Sequence, residues 1–180
     1  MDWFTPRPAD EARLSRGEGR PRVSEICDQL LIGEYPRVED IGWLREHRRV
    51  TAVHSVQDDD DLKFNGLNLA ALEHAYRDHS IKFIRTAIPD SGADALKNHM
   101  EGALVELKRL TDAGDRVFLH CNAGMNRAPT IAIAYLRAFC GRSLEEALAQ
   151  VKQRHFCGPY MTVLEEYFGP RDFKPPSHER

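Results

Sequence analysis

Apolar residues along the chain recur at two spacings, and the two alternate. Short apolar runs, ICDQLLIG at 26–33, VTAVHSV at 50–56, IKFIRTA at 81–87 and RVFLH at 116–120, predict strands. Between them the apolar positions fall three and four apart. Val38, Ile41 and Leu44 predict a short helix, and NLAALEHAYRDH at 68–79 a second. Leu96, Met100, Ala103, Leu104, Leu107 and Leu110 share one side of a helix over 94–113, with Asp94 expected at its N-cap and Gly114 at its end. Residues 128–140 are apolar nearly all round and predict a buried helix. Ser143 and Glu146 form a capping-box pattern before a further helix, and YMTVLEEYF at 160–168 predicts the last. The polar stretches QDDDDLKFNG at 57–66 and IPDSGAD at 88–94 read as loops.

Strands alternating with helices of this length predict an α/β fold: a central, mostly parallel, twisted sheet of about four to five strands, with helices on both faces. Ligands in such sheets bind beyond the carboxyl ends of the strands. Three segments follow from composition: an N-terminal arm over 1–22, mobile or loosely docked; a folded domain over 23–168; and a tail over 169–180. Both ends are rich in Pro and charge.

Charge narrows the chemistry. The 180-residue chain has a formal net charge of −3 and no long basic run, so no nucleic-acid partner is expected, and no apolar run approaches the ~18 residues of a membrane span, so no membrane partner is expected either. An anionic substrate would have to be drawn in locally. No secretory leader pattern opens the sequence, and the four cysteines, Cys27, Cys121, Cys140 and Cys157, form no paired framework, so a reducing, cytoplasmic setting is expected. The histidines show no metal-ligand spacing, and neither metal nor cofactor is expected.

The stretch HCNAGMNRAPT at 120–130 joins the strand at 116–120 to the buried helix. Gly124 opens backbone angles closed to other residues, Asn126 tolerates the left-handed region, and Pro129 fits a first helical turn. Successive amides of Asn122, Ala123, Gly124, Met125 and Asn126 can then converge at a helix N-terminus, which is an anion site. A thiol so placed beside an arginine is expected to be a thiolate, and Arg127 offers a planar fork for two phosphate oxygens. Together these point to attack by Cys121 on a phosphate monoester. His120 is expected to order the loop. A carboxyl group must protonate the leaving oxygen and later activate water. Asp90 and Asp94, in one breaker-rich loop, are the candidates.

His-Cys-x5-Arg at 120–127 resembles the signature of the cysteine-dependent tyrosine and dual-specificity phosphatases. That resemblance implies their fold, a phosphocysteine at Cys121, phosphate binding by Arg127 and by the amides of 122–126, and Asp90, after Pro89, as acid and base. Such enzymes often carry Ser or Thr after the arginine; here Ala128 stands there, and Thr130 is the nearest hydroxyl. CNAGMNRAP, LIGEYPRVEDIGWL, SVQDDDDLKFNG and RHFCGP further resemble the glucan phosphatases, the group of laforin and the plant starch phosphatases. This implies a phosphorylated starch- or glycogen-like polysaccharide as substrate, with a phosphoprotein as the alternative and a non-catalytic phosphate- or glycan-binding protein as a third reading. Aromatic side chains match the apolar faces of sugar rings. Phe64, Phe156, Tyr160 and Tyr35 are the candidate platforms, while Trp43 is expected to pack. The acidic run 58–61 is expected to be a solvated loop.

Overall fold

The computed structural model describes residues 18–171. Five strands, β1 (Val23–Cys27), β2 (Leu30–Gly33), β3 (Ala52–Ser55), β4 (Lys82–Arg85) and β5 (Val117–His120), form one sheet in the order β1-β2-β5-β3-β4. All neighbours are parallel except β1 and β2, which are antiparallel. The stretch ICDQLLIG is therefore not one strand but most of a hairpin that turns at Asp28 and Gln29. No glycine or Asn-Gly marks that turn; tertiary bonds hold it. The Gln29 carbonyl accepts from the Val117 amide at 2.8 Å, the Gln29 amide group donates to Thr111 O at 2.9 Å, and the Arg116 guanidinium donates to Asp28 O.

Seven helices cover the sheet among the described residues: α1 (Ile41–Arg48), α2 (Asp59–Phe64), α3 (Leu69–Asp78), α4 (Ala93–Asp112), α5 (Arg127–Phe139), α6 (Leu144–Arg154) and α7 (Met161–Phe168). Alternation along the strands divides the core. Leu30, Ile32, Ala52, Val117 and Leu119 face α4, α5, α6 and α7, while Leu31, Val53 and Phe118 face Ile41 and Leu44 of α1 and Leu72 and Tyr76 of α3. Both faces of the central strand β5 are thus dry, and its last residue delivers the chain to Cys121 at the sheet's carboxyl edge.

Two further elements depart from the sequence pattern. The acidic stretch read as a loop contains α2. Asp58 and Asp61 cap it reciprocally, the Asp61 amide donating to Asp58 Oδ1 at 2.8 Å and the Asp58 amide to Asp61 Oδ2 at 3.0 Å. Carboxylates in a first turn also suit the helix dipole. At the start of α4 the N-cap is Gly92, at φ 109°, and Asp94 lies inside the first turn. Of the expected arm and tail, residues 1–17 and 172–180 lie outside the described residues. Residues 20 and 22 are docked: Arg20 reaches Asp40 at 3.2 Å, and Arg22 reaches Glu34 at 2.9 Å.

Two predictions follow from the packing. Gly33 ends β2 where a Cβ would lie 2.0 Å from the Arg22 carbonyl oxygen. Gly33→Ala should therefore force backbone movement and cost about 1–3 kcal/mol, measured as a lowered urea midpoint at unchanged slope. His54 of β3 and His120 of β5 are fully buried, and burial lowers each to a pKa of about 4 from 6.5. Both stay neutral in the fold while the unfolded chain takes up protons. Their stability contribution is complete above pH 6.5 and is lost as pH falls toward 4, by up to about 1.4 kcal/mol per pH unit for each. Urea midpoints between pH 7 and 4.5 should fall accordingly, less steeply in a His54→Gln variant.

Candidate active site

Residues 121–126 link β5 to α5, and every carbonyl of this loop is held from outside. Cys121 O accepts from His120 Nδ1 at 3.1 Å, Asn122 O from the Tyr35 amide at 3.1 Å, and Ala123 O from Arg22 Nη2 at 3.3 Å. Gly124 O accepts from His155 Nε2 at 2.8 Å, Met125 O from the Gly158 amide at 2.9 Å, and Asn126 O from the amide and hydroxyl of Thr130 at 3.0 and 2.7 Å. No peptide bond is cis among the described residues, so each amide points opposite the carbonyl before it. The amides of 122–127 are therefore turned away from those seven donors, and none of them donates to a protein acceptor among the described residues. The result is a nest of amides at the N-terminus of the thirteen-residue helix α5.

Gly124 makes the curvature possible. It sits at φ 67°, and a Cβ there would lie 2.7 Å from the carbonyl carbon of Gly33. Asn126 does not adopt the left-handed angles its type allows: its φ is −120°, and its side chain instead donates to Gly158 O at 2.6 Å. Thr130 does not offer its hydroxyl hydrogen to the sulfur. That hydrogen goes to Asn126 O, and the oxygen accepts from the Tyr160 amide at 2.9 Å. His155 was not singled out by sequence. Its Nε2 must carry the hydrogen, because a carbonyl only accepts, and Nδ1 accepts from Ser24 at 2.8 Å. Burial lowers its pKa, which keeps that tautomer neutral.

Arg127, 2% exposed, begins α5 and carries a buried charge. Its Nη1 donates to Asp61 Oδ2 at 2.6 Å and to Ile88 O at 2.7 Å. Its Nη2 lies 3.3 Å from Asp61 Oδ1 and 3.1 Å from Asp90 Oδ2. Burial opposes the charge, but the Asp61 hydrogen bond and the charges of Cys121, Asp61 and Asp90 outweigh it and raise the pKa. Asp61 is the chief residue the sequence reading missed. Far from a solvated loop, it is 6% exposed and also accepts from the Asn122 side chain. Asn122 Oδ1 in turn accepts from Gln57 at 2.6 Å and from Asn65 at 3.1 Å. The signal was present: D-x-x-D before Leu62 is a capping pattern, and it places Asp61 one turn into a helix.

Asp90 lies on the loop before α4, and burial raises its pKa, against Arg127 and with Asp61 and Asp58. Asp94 is exposed, and the ion pairs of Arg127 among the described residues are with Asp61 and Asp90. A cleft of about 330 Å³ opens beside the loop, lined by Asp58, Asp60, Asp61, Phe64, Pro89, Asp90, Ser91 and Asn122. Phe64 on its wall is 64% exposed, and Phe156, two residues before the Gly158 that braces the loop, is 77% exposed. Tyr160 is half-buried and feels the charges of Asp90, Arg127 and Cys121. Tyr35 is buried, 2% exposed, and cannot serve as a platform; its backbone amide braces the loop instead. The guanidinium groups of Arg20 and Arg48 each lie over the Trp43 ring, 5.8 and 5.9 Å from its centroid. No cluster of side chains suited to a metal occurs among the described residues.

Similarity to known proteins agrees with this geometry. Residues 43–164 match the family model described as "Dual specificity phosphatase, catalytic domain". The Castanea sativa protein named "Phosphoglucan phosphatase DSP4, amyloplastic" is 27% identical over 142 residues, 77% of this chain and 38% of that protein. Rat "Dual specificity protein phosphatase 5" is 34% identical over 67 residues, 37% of this chain and 17% of that protein. The chain thus spans well under half the length of these curated relatives. Among solved structures, Tk-PTP in its active form superimposes with a TM-score of 0.67 at 23% identity, covering 80% of this chain and 94% of that one. PTPMT1 in complex with PI(5)P gives 0.65 at 21%, covering 79% and 90%. These structural likenesses establish a common fold, and the family match covers more than half of the sequence: the chain belongs to the dual specificity phosphatase catalytic-domain family.

Proposed function

We propose that the chain hydrolyses phosphate monoesters through a cysteinyl-phosphate intermediate and that its substrate is a phosphorylated glucan. The Cys121 thiolate attacks phosphorus as the ester P–O bond breaks. Asp90 gives its proton to the departing oxygen, and the phosphoryl group rests on sulfur. Asp90, now a carboxylate, takes a proton from water as the water oxygen attacks phosphorus. The P–S bond breaks, the thiolate is restored and inorganic phosphate leaves. The amides of 122–127 and the free edge of Arg127 hold the non-bridging oxygens throughout. With Ala128 after the arginine and the Thr130 hydroxyl spent on Asn126, the leaving thiolate relies on amides rather than a hydroxyl.

The single observation behind the glucan reading is the wall of the cleft. Phe64 stands exposed on a cleft that Asp58, Asp60 and Asp90 also line. A neutral sugar can stack its C–H face on that ring and donate hydroxyl hydrogens to the carboxylates. An acidic phosphopeptide or a polyphosphorylated headgroup meets like charge there. The similarity to the chestnut phosphoglucan phosphatase, which extends over 77% of the chain, supports the same reading. A phosphoprotein substrate is the second reading, favoured by the 67-residue likeness to the rat protein phosphatase.

Phosphate release from phosphorylated amylopectin, measured against phosphotyrosine peptides and para-nitrophenyl phosphate, separates the two. Glucan turnover should exceed peptide turnover, and Phe64→Ala should raise KM for glucan while leaving the aryl ester within about twofold. Peptide turnover without glucan turnover sinks the substrate assignment, and unchanged aryl-ester hydrolysis by Cys121→Ser sinks the mechanism. Asp90→Asn should cost about 10²–10⁴ in kcat on glucan. Asp90 must hold its proton to act as the acid, so kcat/KM falls as pH rises through its pKa. Because burial raises that pKa, the falling limb lies above the ordinary carboxylate value and disappears in Asp90→Asn.

A further inference from the structure

We propose that Asp61 is the positioning residue for Arg127, fixing which edge of the guanidinium faces the phosphoryl group. The inference rests on the phosphate-site reading of the 121–127 loop and deepens it. A guanidinium has two edges able to hold two oxygens: one made by Nη1 and Nη2, the other by Nε and Nη2. Asp61 occupies the first, Oδ2 on Nη1 and Oδ1 on Nη2, at 2.6 and 3.3 Å. The carbonyl of Ile88 takes the second Nη1 hydrogen at 2.7 Å. Nε donates to nothing among the described residues. The edge left for a ligand is therefore Nε with Nη2, and Asp61 decides this.

Asp90 also touches Arg127, but it cannot be the anchor. It makes one contact, to Nη2, and its side chain is 36% exposed on a loop, against 6% for Asp61. A phosphate oxygen arriving at Nη2 would displace Asp90 and leave Asp61 in place. Asp61 itself cannot swing away. Its own amide is bonded by Asp58, its carboxylate accepts from the Asp58 amide and the Asn122 side chain, and its carbonyl accepts from Asn65 at 2.8 Å. Asn65 thus serves as a strut between α2 and the loop.

The test uses the full chain. Inorganic phosphate is titrated against alkylation of Cys121 by iodoacetamide, which reads anion binding without turnover, and kcat and KM are measured on para-nitrophenyl phosphate. Asp61→Asn should weaken phosphate protection and lower kcat/KM by about 10–100-fold, with Asp61→Glu between it and the wild type. An Asp61→Asn protein that folds, by its urea midpoint, and matches wild type within twofold in both readouts overturns the assignment. Should Asp61→Asn fail to fold, 15N spectra of the wild type decide, the Arg127 signals being assigned by their loss in Arg127→Lys. Separate Nη1 and Nη2 signals without phosphate, with only Nε and Nη2 shifting on its addition, support an anchored guanidinium. Averaged Nη signals refute it. The two failures are distinguishable: a wild type with no phosphate protection defeats the phosphate site itself and this inference with it, whereas equal protection in wild type and Asp61→Asn defeats the Asp61 assignment alone.

Discussion

A trans peptide cannot aim its amide inward without sending the preceding carbonyl outward, and the loop after β5 is governed by this constraint. Each outward carbonyl costs about 1–3 kcal/mol if buried without a partner. The chain meets the demand from widely separated segments: the Tyr35 amide beyond β2, Arg22 before β1, His155 at the end of α6 and the Gly158 amide before α7. The anion cradle is for that reason not a local motif with a scaffold beneath it. It is the meeting point of the edge hairpin, the central strand and the last two helices, and the close approach of Gly124 to Gly33 is what allows them to meet.

Arg127 poses the opposite problem, a buried cation. Removing such a charge from water costs several kcal/mol, and pairing it with a buried carboxylate often gives back no more than that cost. The Arg127–Asp61 pair is weak evidence for stability and better evidence for orientation. On the assignment proposed above, the pair supplies a guanidinium whose plane is set before a ligand arrives, so that little ordering remains to be done on binding. Asn122 extends the arrangement, since one side chain joins Asp61, Gln57 and Asn65 to the residue next to the sulfur.

Much of this was legible in the sequence, for physical reasons. β5, α5 and the loop between them were readable because an apolar strand, a glycine and a buried helix leave few alternatives, and the long stripe of α4 because twenty residues give periodicity room to show. Helix α2 was hidden by its brevity. Six residues hold only Leu62 and Phe64 as apolar positions, and four consecutive aspartates look solvated unless their reciprocal capping is noticed. Asp61 was hidden with it, because burial of a carboxylate is decided by a cation sixty-six positions away. The β1–β2 turn and the buried Tyr35 were missed for the same cause: tertiary bonds, not local residue type, determine them.

The charges form two layers of opposite sign, and this reconciles a net charge of −3 with a site for an anion. The inner layer is Arg127, the α5 terminus and the loop amides; the outer is Asp58, Asp60 and Asp90 around the cleft. At physiological salt, fields between exposed charges fade over about 8 Å, so the rim acts on whatever lies beside the phosphate rather than on molecules at a distance. The inner layer is desolvated, and its interactions with a phosphoryl group bound as proposed would be stronger for it. On the function proposed above, affinity for the phosphate and selection of the group that carries it fall to different residues. Helix α2 joins them, because its buried face presents Asp61 to the guanidinium while Phe64, three residues on, stands on the cleft wall. A change at Phe64 that leaves the helix intact would alter the wall alone, whereas one that disturbs the helix would reach the guanidinium through Asp61.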